Sequence, residues 1–518
     1  MKKLLLLLLP IFISQFAFSQ NANDALLISR NGIYGSARMT SMGGAFTALG
    51  GDLSAMQLNP ASGAVFLDSQ VSLSYGLSGI SNNSTFYNGT GEDKADYNNL
   101  NQIGIVFVID NSDTYSSIIK YALGFNYNRT NNYNENISFK GNNNTHFDDS
   151  IGEGIYYDGD LMYDGYSSIA TSFVLSANGY APTELRGAEE LAFYTYLIDM
   201  NIPIDPSHPD EGSIYYDSRY PTYTDEFPVY VMSAIPNNLL QDYTMNRTGY
   251  SGQYNFSASS DVNNKFYLGI SYDRSNFNTV TNTKLTETGF TANSEVQALT
   301  YESYVSTYGT GNGFSIGGIY KATDFIRIGA TYHSPTWYEM NDEYSYKLSI
   351  INKTFPNESE STEILYSDYE ITTPSKIDAG IAFVFGKNGL ISADYEYINY
   401  SSMSLEPNNY FEYENEEIKT TMASTHNIKV GTEWKVSFIS LRAGYAYSQS
   451  PYKNKDWQSD THTFSFGTGL NFKIWKLDLA YQASSRNYDY YIYDTNLVDA
   501  ANINRTSGDF VATLRFTM

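Results

Sequence analysis

Catalysis by a nucleophile, an acid–base pair or a metal needs the right side chains at fixed spacing. The titratable residues of this chain do not supply them. Its five histidines, at positions 146, 208, 333, 426 and 462, fall in loops or at the ends of predicted strands. None stands in a G-x-S-x-G or H-E-x-x-H context. The 518 residues contain no Cys, which excludes disulfides and thiolate metal sites. No acidic run has full EF-hand spacing. The chain therefore reads as no enzyme, with no cofactor and no metal site.

Two other groups of residues could do chemistry. The first lies in Met42–Gly63, "MGGAFTALGGDLSAMQLNPASG", and just before it. Arg38, Asp52, Ser54 and Asn59 are polar residues set among Gly, Ala and Ser. Gly residues there permit backbone angles closed to other residues, and Pro60 fixes its own φ and biases Asn59 away from helix. The second group is apolar: Phe173, Leu175, Leu191, Phe193, Tyr194, Leu197, Leu239 and Leu240. A hydrophobic ligand needs such surface kept from water. The same residues would equally serve to pack loop helices together.

The elements that position them follow from the ends and the composition. "MKKLLLLLLPIFISQFAFSQ" has a short basic start, an apolar run from Leu4 to Phe16 and an A-x-S site at Ala17–Ser19. Residues 1–19 read as a signal peptide, with the mature chain starting at Gln20. The net charge of −25 carries no basic footprint for nucleic acid. Charged residues are only 17%, yet 48 Tyr and 29 Phe are present. Mean hydropathy is −0.36. No later run approaches the roughly 20 apolar residues of a membrane helix. A β-barrel is the membrane architecture that tolerates a polar average, because only alternate residues face lipid.

Period-2 alternation recurs along the chain. In "QVSLSYGLS", Val71, Leu73, Tyr75 and Leu77 alternate with Ser72, Ser74 and Gly76. About fourteen such stretches are predicted between residues 70 and 518, with those in 110–250 the hardest to delimit. The connections alternate long (79–102, 129–249, 274–312, 334–375, 399–425, 449–460, 485–506) and short. Outer-membrane barrels have long external loops and short periplasmic turns, so both termini are placed in the periplasm. The fold class expected is all-β: a transmembrane antiparallel barrel of about 14 strands over 69–518, with long external loops. Its last strand puts Phe510, Ala512, Leu514, Phe516 and Met518 on one face, resembling the signal read by the outer-membrane insertion machinery.

The insert at 129–249 differs from the rest. "PTELRGAEELAFYTYLIDM" is predicted as a helix with Pro182 in the first turn and Leu185, Ala188, Ala192 and Tyr196 on one face. "YSSIATSFVLSA" is either a second short helix or an extended apolar segment.

The segment "GIYGSARMTSMGGAFTALGGDLSAMQLNPASGAVF" resembles the N-terminal signature of the FadL/TodX/OMPP1 outer-membrane transport family. The matching positions are Gly35, Ala37, Arg38, Met42, Gly43, Gly44, Ala45, Asp52, Ser54, Ala55, Asn59, Pro60 and Ala61. Weaker echoes occur in order at Ile328–Pro335, Thr373–Phe383, Ser392–Met403 and Leu441–Tyr452. The resemblance implies that residues 20–68 form a hatch, or plug, inside the barrel. It implies passive carriage of hydrophobic molecules, typically long-chain fatty acids or aromatic hydrocarbons, by capture, hatch movement and lateral release. Outer-membrane lipid and lipopolysaccharide are the expected surroundings, and a monomer the expected state. A lumenal Arg38 would pair with a ligand carboxylate or with a wall carboxylate such as Asp394 or Glu396, the wall pair being favoured. Some relatives are partners of protein secretion or carry the label of haemin receptors, which gives the alternative reading.

Overall fold

A computed structural model describes residues 22–518, apart from 114, 145–154, 158–159, 164–167, 178–179, 201–229, 235, 366–367, 473 and 494–496. The signal segment 1–19, His146 and His208 lie outside the described residues. Fourteen strands form the wall: β1 Gln70–Phe86, β2 Gly89–Asp110, β3 Ile118–Asn132, β4 Leu239–Val262, β5 Phe266–Thr288, β6 Val296–Lys321, β7 Ile326–His333, β8 Lys376–Val384, β9 Gly389–Asn399, β10 Ser424–Val436, β11 Ile439–Ser448, β12 Thr461–Asn471, β13 Trp475–Tyr490 and β14 Ala501–Thr517. Each pairs antiparallel with the next, and β14 pairs back onto β1 from Gln70↔Thr517 to Thr85↔Asn502. The sheet thus closes on itself, apart from an interruption of the β2–β3 ladder above Gln102↔Asn128.

The alternation read from the sequence is the alternation of the wall. Leu73, Tyr75 and Leu77 are about half exposed, while Ser72 and Ser74 are buried. On β14, Phe510 and Phe516 point outward, as does Met518 just past its end, whereas Val511, Thr513 and Arg515 are buried. Apolar side chains can meet lipid while small polar ones line the lumen. Aromatic residues ring the wall near the short turns: Phe385 stacks on Trp434 at 5.6 Å and Phe472 on Trp475 at 4.2 Å. Such a girdle marks a membrane interface. No helix among the described residues is long and apolar enough to cross a membrane.

The structure corrects the connections. Most of 79–102, 274–312 and 485–506 is strand, not loop. β1 and β2 meet in a tight turn at Tyr87, whose φ is 46°. β6 runs for 26 residues, well beyond the roughly 9–11 that cross a hydrocarbon core. These upper parts, such as "SNNSTF" and "GTGEDKADYNN", lack an apolar face. Beyond the lipid both faces can be polar, so the hydrophobic alternation that marks a wall strand disappears. Residues 129–132 and 239–249 likewise belong to β3 and β4, inside the range expected as insert.

Within the insert, helices α4 (Ile169–Ala177) and α5 (Gly187–Tyr194) form. The segment left open between helix and extended chain is helical. Pro182 does not sit in a first helical turn. It lies in a turn closed by Glu184 N–H to Ala181 O at 2.8 Å, and α5 starts at Gly187. Leu185, Ala188 and Ala192 are buried as a set, but Tyr196 is exposed beyond the helix end.

Candidate functional site

The N-terminal segment lies inside the barrel. Helix α1 (Ala22–Ser29) is followed by two short turns of helix, α2 (Ala37–Ser41) and α3 (Ala55–Leu58), and a 3-10 turn at Pro60–Val65. Helix α2 packs on β11, β12, β13 and β14; Pro60–Val65 packs on β3, β4, β5 and β6. The small-residue composition is explained by this enclosure. A chain that must satisfy its own backbone inside a narrow lumen has little room for side chains.

The polar residues singled out in the sequence tie this segment to itself. Ser36 Oγ donates to Asp52 Oδ1 at 2.7 Å and accepts from Met39 N–H at the start of α2. Ser36 N–H donates to Ser54 Oγ at 2.7 Å, and Ser54 N–H to Asp52 Oδ1 at 3.0 Å. Asn59 donates from Nδ2 to Thr47 O at 2.8 Å and to Gly318 O of β6 at 3.2 Å; its Oδ1 accepts from Ala61 N–H at 3.0 Å. Asn59 is thus a cap for the Pro60 turn and a bond to the wall at once. Met42 is fully buried among Met39, Phe46, Ala48 and Leu49, and Ala45 and Ala61 are equally buried.

Arg38 is an ion-pair partner of the wall, but neither Asp394 nor Glu396 receives it. Arg38 Nε lies 2.8 Å from Glu433 Oε2 on β10. Glu433 also holds Arg442 at 2.7 Å, Arg442 holds Asp478 at 2.7 Å, and Asp478 accepts from Arg515 Nε at 2.8 Å. This alternating row crosses β10, β11, β13 and β14. Asp394 instead accepts the Thr47 N–H at 2.7 Å, and Glu396 pairs with Lys429 at 3.1 Å. Helix α2 packs against the β11–β14 arc, which puts Arg38 nearest the row that starts at Glu433.

The wall is shaped to receive the segment by a belt of inward glycines that sequence reading missed. A Cβ on Gly444 would collide with the Gly43 amide and the Met42 carbonyl carbon. On Gly431 it would strike Met42 O, on Gly329 Thr47 O, and on Gly269 the Pro60–Ala61 peptide. Gly43 itself has φ 63°, which its non-glycine neighbours do not share, and this turns α2 back along β11. The signal was present as a Gly near the middle of most strands from β5 to β12.

Above this segment and below α1 is a chamber of about 280 Å³. Its lining is strongly polar and includes Arg30, Arg129, Asp273, His333, Lys376, Asp378, Glu396, Lys429, Arg486, Arg505 and Asp509. His333 Nδ1 is 2.8 Å from Ser315 Oγ, and its Nε2 is 3.2 Å from Asp378 Oδ2 and 3.1 Å from Leu58 O. Ser315 Oγ also donates to Asp273 at 2.9 Å. These bonds bind α3 to β6, β7 and β8.

The eight apolar candidates lie at the opposite end. Phe173, Leu191 and Leu197 are buried in one cluster with Phe86, Phe139, Tyr243, Leu285 and Leu348; Leu175 and Phe193 pack on it, and Leu239 is fully buried outside it. Leu240 is partly covered, and Tyr194 is exposed. Helices α4 and α5 form a dry cap over the mouth. Glu287 of β5 fixes the start of α4, accepting from Ile169 N–H at 3.1 Å and from Gln241 Nε2 at 2.7 Å. In α5, Glu189 is 3% exposed, and burial pushes its carboxyl up to about 7.

One seam interrupts the wall. β2 pairs with β3 only between Gln102↔Asn128 and Asp110↔Lys120. Above this, β2 continues on β1 and β3 on β4, with a register shift at Arg129/Asn131. Asn132 Nδ2 to Asn99 Oδ1 at 3.4 Å spans the seam, and the Asn128 amide has no hydrogen-bond partner among the described residues.

The comparisons agree with this architecture. Residues 251–488 match the model of the family described as outer membrane protein transport protein (OMPP1/FadL/TodX). Among solved structures, a FadL homologue of Pseudomonas aeruginosa aligns with TM-score 0.55 at 13% identity, covering 94% of this chain and 99% of that one. The toluene transporter TodX of Pseudomonas putida aligns with TM-score 0.53 at 13% identity, covering 95% and 99%. At such identity these two likenesses concern the fold alone. The sequence comparison with curated proteins returned no match.

Proposed function

We propose that this chain, a FadL/TodX-type outer-membrane barrel, carries hydrophobic molecules inward, with long-chain fatty acids or similar compounds as its cargo. In this reading the short turns and both termini are periplasmic, the N-terminal segment is a hatch, and the α4–α5 cap is where cargo first meets the protein. One observation carries the reading: the chamber is covered from above by α1 and from below by the glycine-seated segment, while the β2–β3 ladder is interrupted. That geometry suits a lateral step into the bilayer better than a straight aqueous pore. A hydrophobic solute gains from leaving sideways into lipid, whereas a polar one does not.

The test uses the absence of native Cys. Asn99→Cys with Asn132→Cys places a tether across the seam. Oxidised, this variant is expected to lose uptake of labelled oleate in a deletion strain, and reduction is expected to restore it. Uptake unchanged by the closed tether would rule out the seam as exit. Uptake unchanged by deletion of the gene, with a protein-secretion defect instead, would rule out transport.

A further inference from the structure

Arg486 of β13 and Arg505 of β14 are direct cross-strand partners, and both line the chamber. Like charges set opposite each other in an antiparallel pair repel. Arg30, just past α1, lines the same chamber and acts electrostatically on both. Three guanidiniums therefore converge inside a barrel lumen.

Their compensation is incomplete. Glu135 Oε1 lies 3.4 Å from Arg505 Nε. Asp509 lines the chamber nearby, but its Oδ2 accepts from Gln482 Nε2 at 3.0 Å. Arg30 Nη1 donates to the neutral Gln458 Oε1 at 2.8 Å, and Arg486 lies over the Tyr488 ring at 5.5 Å. Among the described residues, no carboxylate forms an ion pair with Arg30 or Arg486. The Nε atoms of Arg486 and Arg505 are buried without a hydrogen-bond partner. The facing wall behaves differently: there Lys429 pairs with Glu396 and His333 with Asp378. Arg129 of β3, over the Tyr250 ring at 4.7 Å, and Lys376 of β8 also line the chamber, but only Arg486 and Arg505 face each other as a direct cross-strand pair of cations.

Withdrawing a cation from water without a partner is costly. A cluster of three persists most readily where a counter-anion completes it. Guanidinium forks match the oxygens of a phosphate in pairs, and several cations suit a dianion better than a single carboxylate. Ser484 and Ser507, whose hydroxyls are 2.8 Å apart, line the chamber beside them. We infer that this chamber binds a phosphate group, held by Arg30, Arg486 and Arg505. The group is carried by a small soluble phosphate ester or by the head of an amphiphile. The site rests on the guanidinium cluster and not on the uptake reading, and the oleate probe below separates a phosphate from a fatty-acid carboxylate.

Calorimetric titration of the full mature protein in detergent, in phosphate-free low-chloride buffer, tests this. The probes are inorganic phosphate, glycerol 3-phosphate, lysophosphatidic acid and oleate. Binding of either soluble probe supports a soluble ester; binding of lysophosphatidic acid alone supports a lipid head. In either case R486Q is expected to weaken binding about tenfold or more, and R486K to retain part of it. The unliganded R486Q protein is expected to melt no lower than wild type, because a like-charge pair is removed, and to lose the phosphate-induced rise in Tm. Equal binding of oleate and lysophosphatidic acid without competition by phosphate would overturn the inference. So would no binding of any phosphate probe, or wild-type binding by R486Q.

Discussion

Arg38 and Glu433 lie 395 positions apart in the chain, yet Arg38 Nε sits 2.8 Å from a Glu433 oxygen inside the lumen. Glu433 is shared with Arg442, so the two members of the pair are not equivalent. Arg38→Gln leaves Glu433 with Arg442, and a loss of about 1–3 kcal/mol is expected in holding the N-terminal segment. Glu433→Gln leaves Arg38 uncompensated and Arg442 with Asp478 alone, with a larger expected loss of about 3–5 kcal/mol. Unfolding midpoints should fall in that order. Planar-bilayer conductance should rise in both variants as the segment loosens.

The wall glycines make a contrast that can be measured between two strands, β11 and β6. Gly444→Ala drives a methyl into the Gly43 backbone, which must shift. Overpacking of this kind costs about 1–3 kcal/mol. Gly318→Ala meets nothing closer than 3.5 Å and is expected to stay within about 0.5 kcal/mol of wild type. Protease access to Ala37–Val65 in the folded barrel checks this: cleavage should appear in the first variant only.

Deleting residues 20–63 is expected to leave a barrel that folds. The wall bonds of β1–β14 do not involve this segment, and the row Glu433–Arg442–Asp478–Arg515 remains paired without Arg38. Conductance should rise strongly. Failure of the deleted protein to insert would show instead that the segment is needed for assembly.

Glu189 makes the α4–α5 cap sensitive to pH. Its carboxyl is raised from about 4.5 in the unfolded chain to about 7 by burial. The folded cap therefore binds more protons than the open one between those values. Its stability is greatest below pH ~4.5, falls as pH rises through that window and levels off above ~7, by up to about 3 kcal/mol. Hydrogen exchange of Gly187–Tyr194, corrected for intrinsic rates, should show more opening at pH 8 than at pH 5. Glu189→Gln should remove the difference.

The wall was legible in the sequence because lipid and lumen impose opposite demands on alternate residues. That pattern survives in "QVSLSYGLS" and in the final strand without any knowledge of partners. It failed above the membrane, where "GTGEDKADYNN" is strand with no apolar face. The segment Met42–Gly63 was legible by its Gly, Ala and Ser content, although Met42, Phe46, Leu53 and Met56 within it are large and fully buried. The glycines opposite it were also visible, but nothing in the sequence says which surface a strand glycine meets.

The sequence by itself therefore determined the strand period, the count of about fourteen, the absence of catalytic spacing and the small-residue N-terminal segment. Each follows from local residue type. Only the tertiary structure decided that Arg38 meets Glu433 rather than Asp394 or Glu396. It alone buried Phe173 and Leu191 in a cap and brought Arg30 beside Arg486 and Arg505. These pairings join positions hundreds of residues apart, and closing the barrel sets which lumenal side chains face one another.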